Sequence, residues 1–471
     1  MSILEMRDEL TNWSKSKRSV CLVYKTGNID DIVLALEDAR AYHLSVIPHG
    51  AGHSYTDAAL STNGIVIDMT PMRHIISWDS VQGIMRVEPG VTLREMIKIS
   101  SKDGWWPFIS PSTSEVTIGG CVAMNVNGRN SWKYGPFGAH IISLDVLFAT
   151  GESCTLSPEQ APLLFHAFIG SMGLLGIITA ITLQLQRVNS RYVGVRKHPA
   201  SSLSEIFSIF AEEEPDSDFM EAWLDGFARG SQLGRGIVTT AKLNHQGIAE
   251  RTLKLKDPSP SGFTTQLISS AAGLGRPLLM PGTQMINRAR YWQSHLNREP
   301  AEHQRDLFSY LYWPPEAFAG YRAMFPTGVE TFHAFVPRET AEHVFEGVLH
   351  YSQELGCMPL WCVMKKHRRD PFLLSYQVDG YSLELNYQRT HLTSQKLRHV
   401  LQHMIATVVD AGGRFYLAKD HFLTHAQYRQ SMGADIVNQF LCIKEQYDPE
   451  MLLQSDLFRR VFQPPLEEKQ T

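Results

Sequence analysis

The stretch Pro48-His49-Gly50-Ala51-Gly52-His53-Ser54-Tyr55 constrains this chain more than any other. Two glycines within three residues let the backbone approach a ligand closely, at φ values that a side chain forbids. Successive N–H groups in such a loop form a nest for phosphate oxygens, and His53 follows within reach of whatever the phosphates carry. The residues before the loop read as a β–α–β unit. Val20–Tyr24 reads as a short strand, and Asp30 to His43 carries Ile32, Leu34, Ala35, Leu36 and Ala39 at helical spacing. Leu44–Ile47 then reads as a second strand that delivers the chain into the loop. By itself a glycine loop of this kind is more often a plain turn.

A second stretch completes the pattern. It runs Pro111-Ser112-Thr113-Ser114 to Thr117-Ile118-Gly119-Gly120 and on to Asn125-Val126-Asn127-Gly128-Arg129-Asn130. Leu144-Asp145-Val146-Leu147 and Gly170-Ser-Met-Gly173-Leu-Leu-Gly176-Ile-Ile178 follow, and Ile177 to Leu185 reads as a β-branched strand. In this order the motifs resemble the FAD-binding domain of the vanillyl-alcohol oxidase/p-cresol methylhydroxylase superfamily. The resemblance covers roughly residues 10–188. It implies an α+β fold in which short loops between strands hold the diphosphate of FAD. Carried onto this sequence, it implies cofactor contacts from Pro48, His49, Gly50, Ala51, Gly52, His53, Ser54, Tyr55 and Ala58 in the first loop. From the later motifs it adds Ser112, Thr117, Gly120, Asn125, Asn127, Gly128, Ile178 and Tyr416. Asn127-Gly128 replaces a His-Gly pair of the family, and Asn127 still offers a donor and an acceptor.

Length and composition set the outer limits. A chain of 471 residues suggests about three domains. Its net charge of −4, with no basic stripe interleaved with aromatics, gives no reason to expect a nucleic acid partner. The six cysteines are scattered without C-x-x-C or zinc spacing and read as reduced, mostly buried thiols. His399/His403 and His421/His425 stand four apart, but neither pair has the glutamate of H-E-x-x-H or a third ligand, so no metal is expected. The N-terminus lacks the basic and apolar regions of a signal peptide, and no stretch approaches the roughly 18 apolar residues of a membrane helix. No transmembrane segment and a cytoplasmic location are expected.

Past Val188 the texture changes. Residues 255–282 are rich in Pro, Ser and Gly and read as a long loop or lid, while helices such as Ala341–Leu355 alternate with strands such as Gly380–Tyr387. The expected organisation is a two-part p-cresol methylhydroxylase-type FAD-binding domain (1–190), an α+β cap or substrate domain (191–410), and a segment (411–471) that returns to the first. Ala222-Trp-Leu-Asp225, Phe332-His-Ala-Phe-Val-Pro337 and Gly412-Gly-Arg-Phe-Tyr-Leu-Ala-Lys-Asp420 resemble the cap of ribose-oxidising members. Two departures stand out. Those members have arginine where this chain has His53, whereas sugar-lactone and alditol oxidases place there a histidine bonded to the flavin. On the strand around Ser382, alternation puts Ser382, Glu384 and Asn386 on one face, and Glu384 stands where ribose oxidisers have a neutral thiol.

Oxidising an alcohol with a flavin requires a hydride to leave carbon, a base for the hydroxyl proton, and positive charge near the reduced ring. The resemblance assigns pocket positions to Lys419, expected on a short strand, to Lys365, and to His333, which replaces a glutamine; Tyr55 borders the flavin. Glu384 is read either as proton acceptor or as a hydroxyl ligand. For Lys419 and Glu384 the plain alternatives are a strand-edge surface lysine and a solvent-facing carboxylate. The leading reading is an FAD enzyme that oxidises a hydroxyl of a sugar, polyol or glycoside, ending in hydrogen peroxide or serving with a short-chain reductase as half of an epimerase. Dehydrogenation at a C–N or C–C bond, and a flavin-free binding protein on the same scaffold, are the alternatives.

Overall fold

Residues 7–244, 279–296, 302–312, 327–389 and 394–464 are described by the computed structural model. The chain opens on a four-stranded sheet. β1 (Arg7–Thr11) pairs antiparallel with β2 (Arg18–Lys25), and helix α1 (Ile29–Ala41) crosses to β3 (Val46–His49). β4 (Ile65–Asp68) then runs parallel to β2 and β3 and lies between them. The expected β–α–β unit is present, with β4 slotted into its middle. α1 starts where Asn28 accepts the Asp31 N–H and Asp31 accepts the Asn28 N–H, a capping box that satisfies two orphaned donors. Ile32, Ala35, Leu36 and Ala39 share its inner face and are buried on the sheet.

A five-stranded antiparallel sheet follows, made of β5 (Ile75–Asp79), β6 (Ile84–Val87), β8 (Ile141–Leu147), β9 (Ser153–Leu156) and β10 (Ile177–Gln184). Its order is β5-β6-β10-β8-β9, and the short β7 (Trp105–Trp106) pairs with β11 (Gln186–Arg187). Between β6 and β8 lie helices α2 (Leu93–Ser100) and α3 (Ile118–Ala123). Beyond β11 the chain builds an eight-stranded antiparallel sheet. Its strands are β12 (Tyr192–Ala200), β13 (Phe219–Leu224), β14 (Gly236–Leu243), β15 (His303–Asp306), β16 (Val329–Pro337), β17 (Trp361–His367), β18 (Gly380–Gln388) and β19 (Arg414–Phe415), in the order β15-β12-β14-β13-β17-β18-β16-β19.

The two faces of that sheet differ sharply. Phe332, Ala334 and Val336 of β16 and Leu383 and Leu385 of β18 join the main core. The helices Arg338–Glu354 and Ser394–Asp410 pack there through Val344, Phe345, Val348, Val400 and Met404. The alternate residues, Thr331, His333, Ser382, Glu384 and Asn386, are polar and nevertheless buried. A period of two puts apolar side chains on one face and leaves the other for chemistry.

Most of the residues expected to form a lid (255–282) lie outside the described residues, and the last four begin a helix, Leu279–Leu296. Lys419 departs from expectation: it is not on a strand. β19 is only two residues long, and the Lys419 and Asp420 N–H groups both donate to the Tyr416 carbonyl, at 2.9 and 3.1 Å, so the chain turns there. After this turn the chain runs back over the first two sheets. Leu453 bridges to Val46, Arg460 pairs with Asp57 at 2.7 Å, and the helix Ala434–Tyr447 carries Lys444 inward.

Lys444 is fully buried and donates to the carbonyls of Leu174 and Leu453 and to Asp448, at 2.8, 2.7 and 2.7 Å. Removing one partner of such a pair leaves an uncompensated charge. Lys444→Met is therefore expected to lower stability by about 3–5 kcal/mol, the scale for breaking a buried pair, measured by urea unfolding of the holoprotein. A loss under about 1 kcal/mol, the scale of a surface pair, would contradict this account.

Candidate functional site

The glycine loop leaves β3 at His49 and turns at Gly52, whose φ of +68° is the left-handed conformation that favours glycine. Gly50 packs directly on Thr117, where a methyl group would strike the Thr117 hydroxyl. Thr117 caps α3 by accepting the Gly120 N–H at 3.3 Å. The two glycine-rich stretches, distant in sequence, therefore abut. His49 is fixed by a 2.9 Å contact between its Nδ1 and the Ala59 carbonyl, and Ala58 is buried beside it in sequence.

Tyr55 ties this loop to the third sheet. Its N–H donates to the Ala418 carbonyl at 2.8 Å, its own carbonyl accepts from Asn12 and Ser14 at 2.6 and 2.7 Å, and Trp13 stacks on its ring at 4.4 Å. The Lys419 ammonium lies 5.3 Å from the ring centroid of Tyr55, within cation–π range. That ammonium donates to Glu384 Oε2 at 2.5 Å. Glu384 Oε1 accepts from Asn386 at 3.1 Å, and Asn386 Oδ1 accepts from Thr331 at 2.8 Å. Glu384 is 7% exposed, so it is not a solvent-facing carboxylate. In the β16–β18 register His333 stands opposite Glu384, and in the β17–β18 register Lys365 stands opposite Ser382. Ser382, Glu384 and Asn386 share one face, as the alternation requires.

Burial dominates the electrostatics here. It would raise the Glu384 carboxyl, but neighbouring positive charge, above all that of Lys419, holds it well below the usual carboxylate range. A carboxylate so held stays ionised and is available as a hydrogen-bond acceptor. Burial, reinforced by Lys419 and Lys365, holds His333 well below its ordinary value against the pull of Glu384, so the ring is neutral. Its Nδ1 has no hydrogen-bond partner among the described residues. Lys365 is pulled down by burial, against the opposing Glu221 carboxylate 3.8 Å away. Glu221 also pairs with Arg129 at 3.2 Å, at the end of the second glycine stretch.

An aromatic bridge closes the circle. The Tyr376 hydroxyl donates to the Asn125 carbonyl at 2.6 Å and accepts from Asn127 at 3.2 Å. Its ring lies 4.3 Å from Tyr416 and 4.8 Å from Phe335, which contacts His333 at 4.7 Å. Asn127 and Gly128 are buried, and Asn125 sits at φ +45° with its Oδ1 accepting the Gly138 N–H. One continuous set of contacts thus joins both loops, Tyr416, His333, Glu384, Lys365 and Lys419.

Ser112 and Ile178 are not joined to this set. Ser112 is exposed at the start of the second stretch, and Ile178 lies within the main core on β10 opposite Val146. Pro48 lies on β3, and Ala51, His53 and Ser54 occupy the loop itself, with His53 half-buried. Sequence reasoning missed Tyr376, Trp13, Asn386 as a ligand of Glu384, and Glu221. Only Asn386 had a signal, its alternation with Glu384. His421 is tied to Ser16 at 2.9 Å and His425 to the Val461 carbonyl at 3.0 Å; among the described residues no three His, Cys, Asp or Glu side chains are grouped to hold a metal ion.

Residues 21–157 match the family model described as an FAD binding domain. A decaprenylphosphoryl-β-D-ribose oxidase of Mycolicibacterium smegmatis is 27% identical over 466 residues, spanning 96% of this chain and 97% of that one. A D-lactate dehydrogenase of Anaerostipes hadrus is 29% identical over 38% of each chain, and cytokinin dehydrogenase 10 of rice (Oryza sativa subsp. japonica) is 29% identical over 32% of this chain and 29% of that one. The chain is an FAD-dependent oxidoreductase. Its cofactor domain is of the p-cresol methylhydroxylase type, and the flavin-free reading falls. The structure suits the cofactor: Gly50 lies against the Thr117 cap with no room for a Cβ, and Gly52 turns the loop at a left-handed φ, so the first glycine loop is held close to the start of α3. Among the described residues of this flavoenzyme no helix is long and apolar enough to cross a membrane.

Two predictions follow from this geometry. Gly50→Ala is expected to fold, by circular dichroism, yet to retain less than about a tenth of the flavin, because a clash with Thr117 displaces the loop. Full flavin content would refute this reading of the loop. The second concerns Glu330, on the opposite face of β16 from His333, which burial pushes up to about 7 despite Arg389 and Lys17. Its folded pKa lies above its unfolded one, so the folded state binds the proton more tightly and stability falls as pH rises between roughly 4.5 and 7. Glu330→Gln should therefore stabilise by on the order of 2 kcal/mol at pH 8 and by little at pH 5. Equal effects at both pH values would contradict it.

Proposed function

We propose that this flavoenzyme oxidises a hydroxyl of a sugar, polyol or glycoside to a carbonyl, on the polar face of the third sheet. The observation that carries the reading is the enclosed Lys419–Glu384 pair, seated on Tyr55 of the glycine loop. The loops around Gly50–Tyr55 and Thr117–Gly128 hold FAD, which when bound accepts the hydride leaving the carbon. Lys419 and Lys365 offer positive charge where negative charge develops, the most effective electrostatic aid an enclosed site can give. Glu384 stays ionised and accepts a hydrogen bond from a neighbouring hydroxyl of the substrate, with Asn386 and Thr331 holding its orientation. His333 is neutral and opposite Glu384, and takes the hydroxyl proton on Nδ1; the carboxylate across the strands stabilises the imidazolium.

The similarity to a ribose oxidase along nearly the whole chain supports a sugar-like hydroxyl. The charge balance of the face, Lys419, Lys365 and Arg129 against Glu384 and Glu221, disfavours a protonated amine as substrate. A short-chain reductase acting on the ketone would make the pair an epimerase. His53, half-buried between Gly52 and Tyr55, is proposed to bond the flavin covalently, since a neutral imidazole is the nucleophile such a bond needs.

Lys419→Met should keep the flavin and lower kcat by roughly 10²-fold or more, the scale for losing one preorganised charge; near-normal turnover on every sugar and polyol the native enzyme oxidises would refute its role. Glu384→Gln should raise KM far more than it lowers kcat, and the reverse would return Glu384 to proton transfer. In acid-denatured protein run on a gel, flavin fluorescence should travel with the native polypeptide and disappear from it in His53→Ala. Free flavin from the native protein would refute the bond alone.

A further inference from the structure

The helix Leu279–Leu296 is anchored on its inner side and apolar on its outer side. Inward, Asn287 donates to the buried Asp225 at 3.1 Å, and Tyr291 lies beneath the Arg235 guanidinium, 5.1 Å from its ring centroid. Arg290 stacks over Trp223 and Trp361, at 4.3 and 5.5 Å. Outward, Met285, Ile286, Trp292 and Leu296 are 73%, 68%, 48% and 78% exposed. At 3.6 residues per turn, Met285, Trp292 and Leu296 fall within about 40° of one another, in a stripe about 16 Å long. Arg288 borders the stripe, Arg290 lies toward the anchored side on the tryptophans, and Leu279–Leu296 contains no Asp or Glu.

We propose that this helix lies in the plane of an anionic lipid surface. An apolar stripe with a basic edge fits the boundary between headgroups and acyl chains, where Arg288 meets a lipid phosphate and Trp, Leu and Met enter the apolar layer. The absence of any acid on the helix makes a negatively charged partner the complementary one. A second copy fits less well, because a two-fold interface would set the basic edge of one helix against that of the other with no acid on either to offset it. The attachment is peripheral and is independent of the proposed reaction.

Flotation of the full-length holoprotein with vesicles tests it. Phosphatidylcholine vesicles containing phosphatidylglycerol should carry the protein roughly tenfold better than phosphatidylcholine alone, with binding weakened by added salt. The double variant Met285→Ser/Leu296→Ser should lose roughly tenfold or more of that binding while keeping its full flavin, and Arg288→Glu should lose the preference for anionic vesicles. Absence of flotation, or flotation undiminished in the double variant, would overturn the proposal. So would light scattering that shows a dimer dissociated by the same two substitutions, which would assign the stripe to a second copy.

Discussion

Lys419 and Glu384 are opposite charges in direct contact, the carboxylate buried and the ammonium one-fifth exposed. Removing an ion from water costs several kcal/mol even after relaxation, so the two must stay within hydrogen-bond distance and their remaining lone pairs must be filled. That demand fixes much else. It pins β16 against β18, because Asn386 and Thr331 complete the coordination of Glu384 across the two strands. It also holds the turn after β19 against Tyr55, and through Tyr55 the glycine loop. Three stretches remote in sequence are thus locked by one pair.

The same low-dielectric setting explains the tuning around it. Glu384 is kept ionised by Lys419, His333 is kept neutral by burial and by the two lysines, and Lys365 is eased toward neutrality while Glu221 restrains it. One buried face thus holds an ionised carboxylate, a neutral imidazole and a lysine shifted downward, perturbations of the kind that gather at functional sites. Farther along the face, Arg129 shares Glu221 and ties the second glycine stretch to β13, so that stretch and the charged face are joined directly.

Much of this was legible in the sequence, for identifiable reasons. The β–α–β unit showed because α1 must bury Ile32, Ala35, Leu36 and Ala39 on one side, and helical spacing records that demand. The shared face of Ser382, Glu384 and Asn386 showed because strands alternate. Lys419 was found by its motif, yet its local structure was misjudged, since three apolar residues before a lysine read alike on a strand and in a turn that packs Tyr416, Leu417 and Ala418 inward. Glu384 was legible as a pocket residue but not as an ion-paired one, because its partner lies 35 positions away in a turn. Tyr376 left no trace at all: a lone tyrosine before Gly380 acquires meaning only when folding brings its hydroxyl to the Asn125 carbonyl.

The claim on which the account rests is that the Lys419–Glu384 pair faces the flavin. The affinity of the bound flavin for sulfite reports this most directly, because the adduct places negative charge on the ring and depends on compensating charge beside it. The native protein is expected to bind sulfite, and Lys419→Met, with flavin retained and Glu384 left unopposed, to bind it at least about tenfold more weakly. Equal affinity in the two proteins would place the pair away from the flavin and contradict the account.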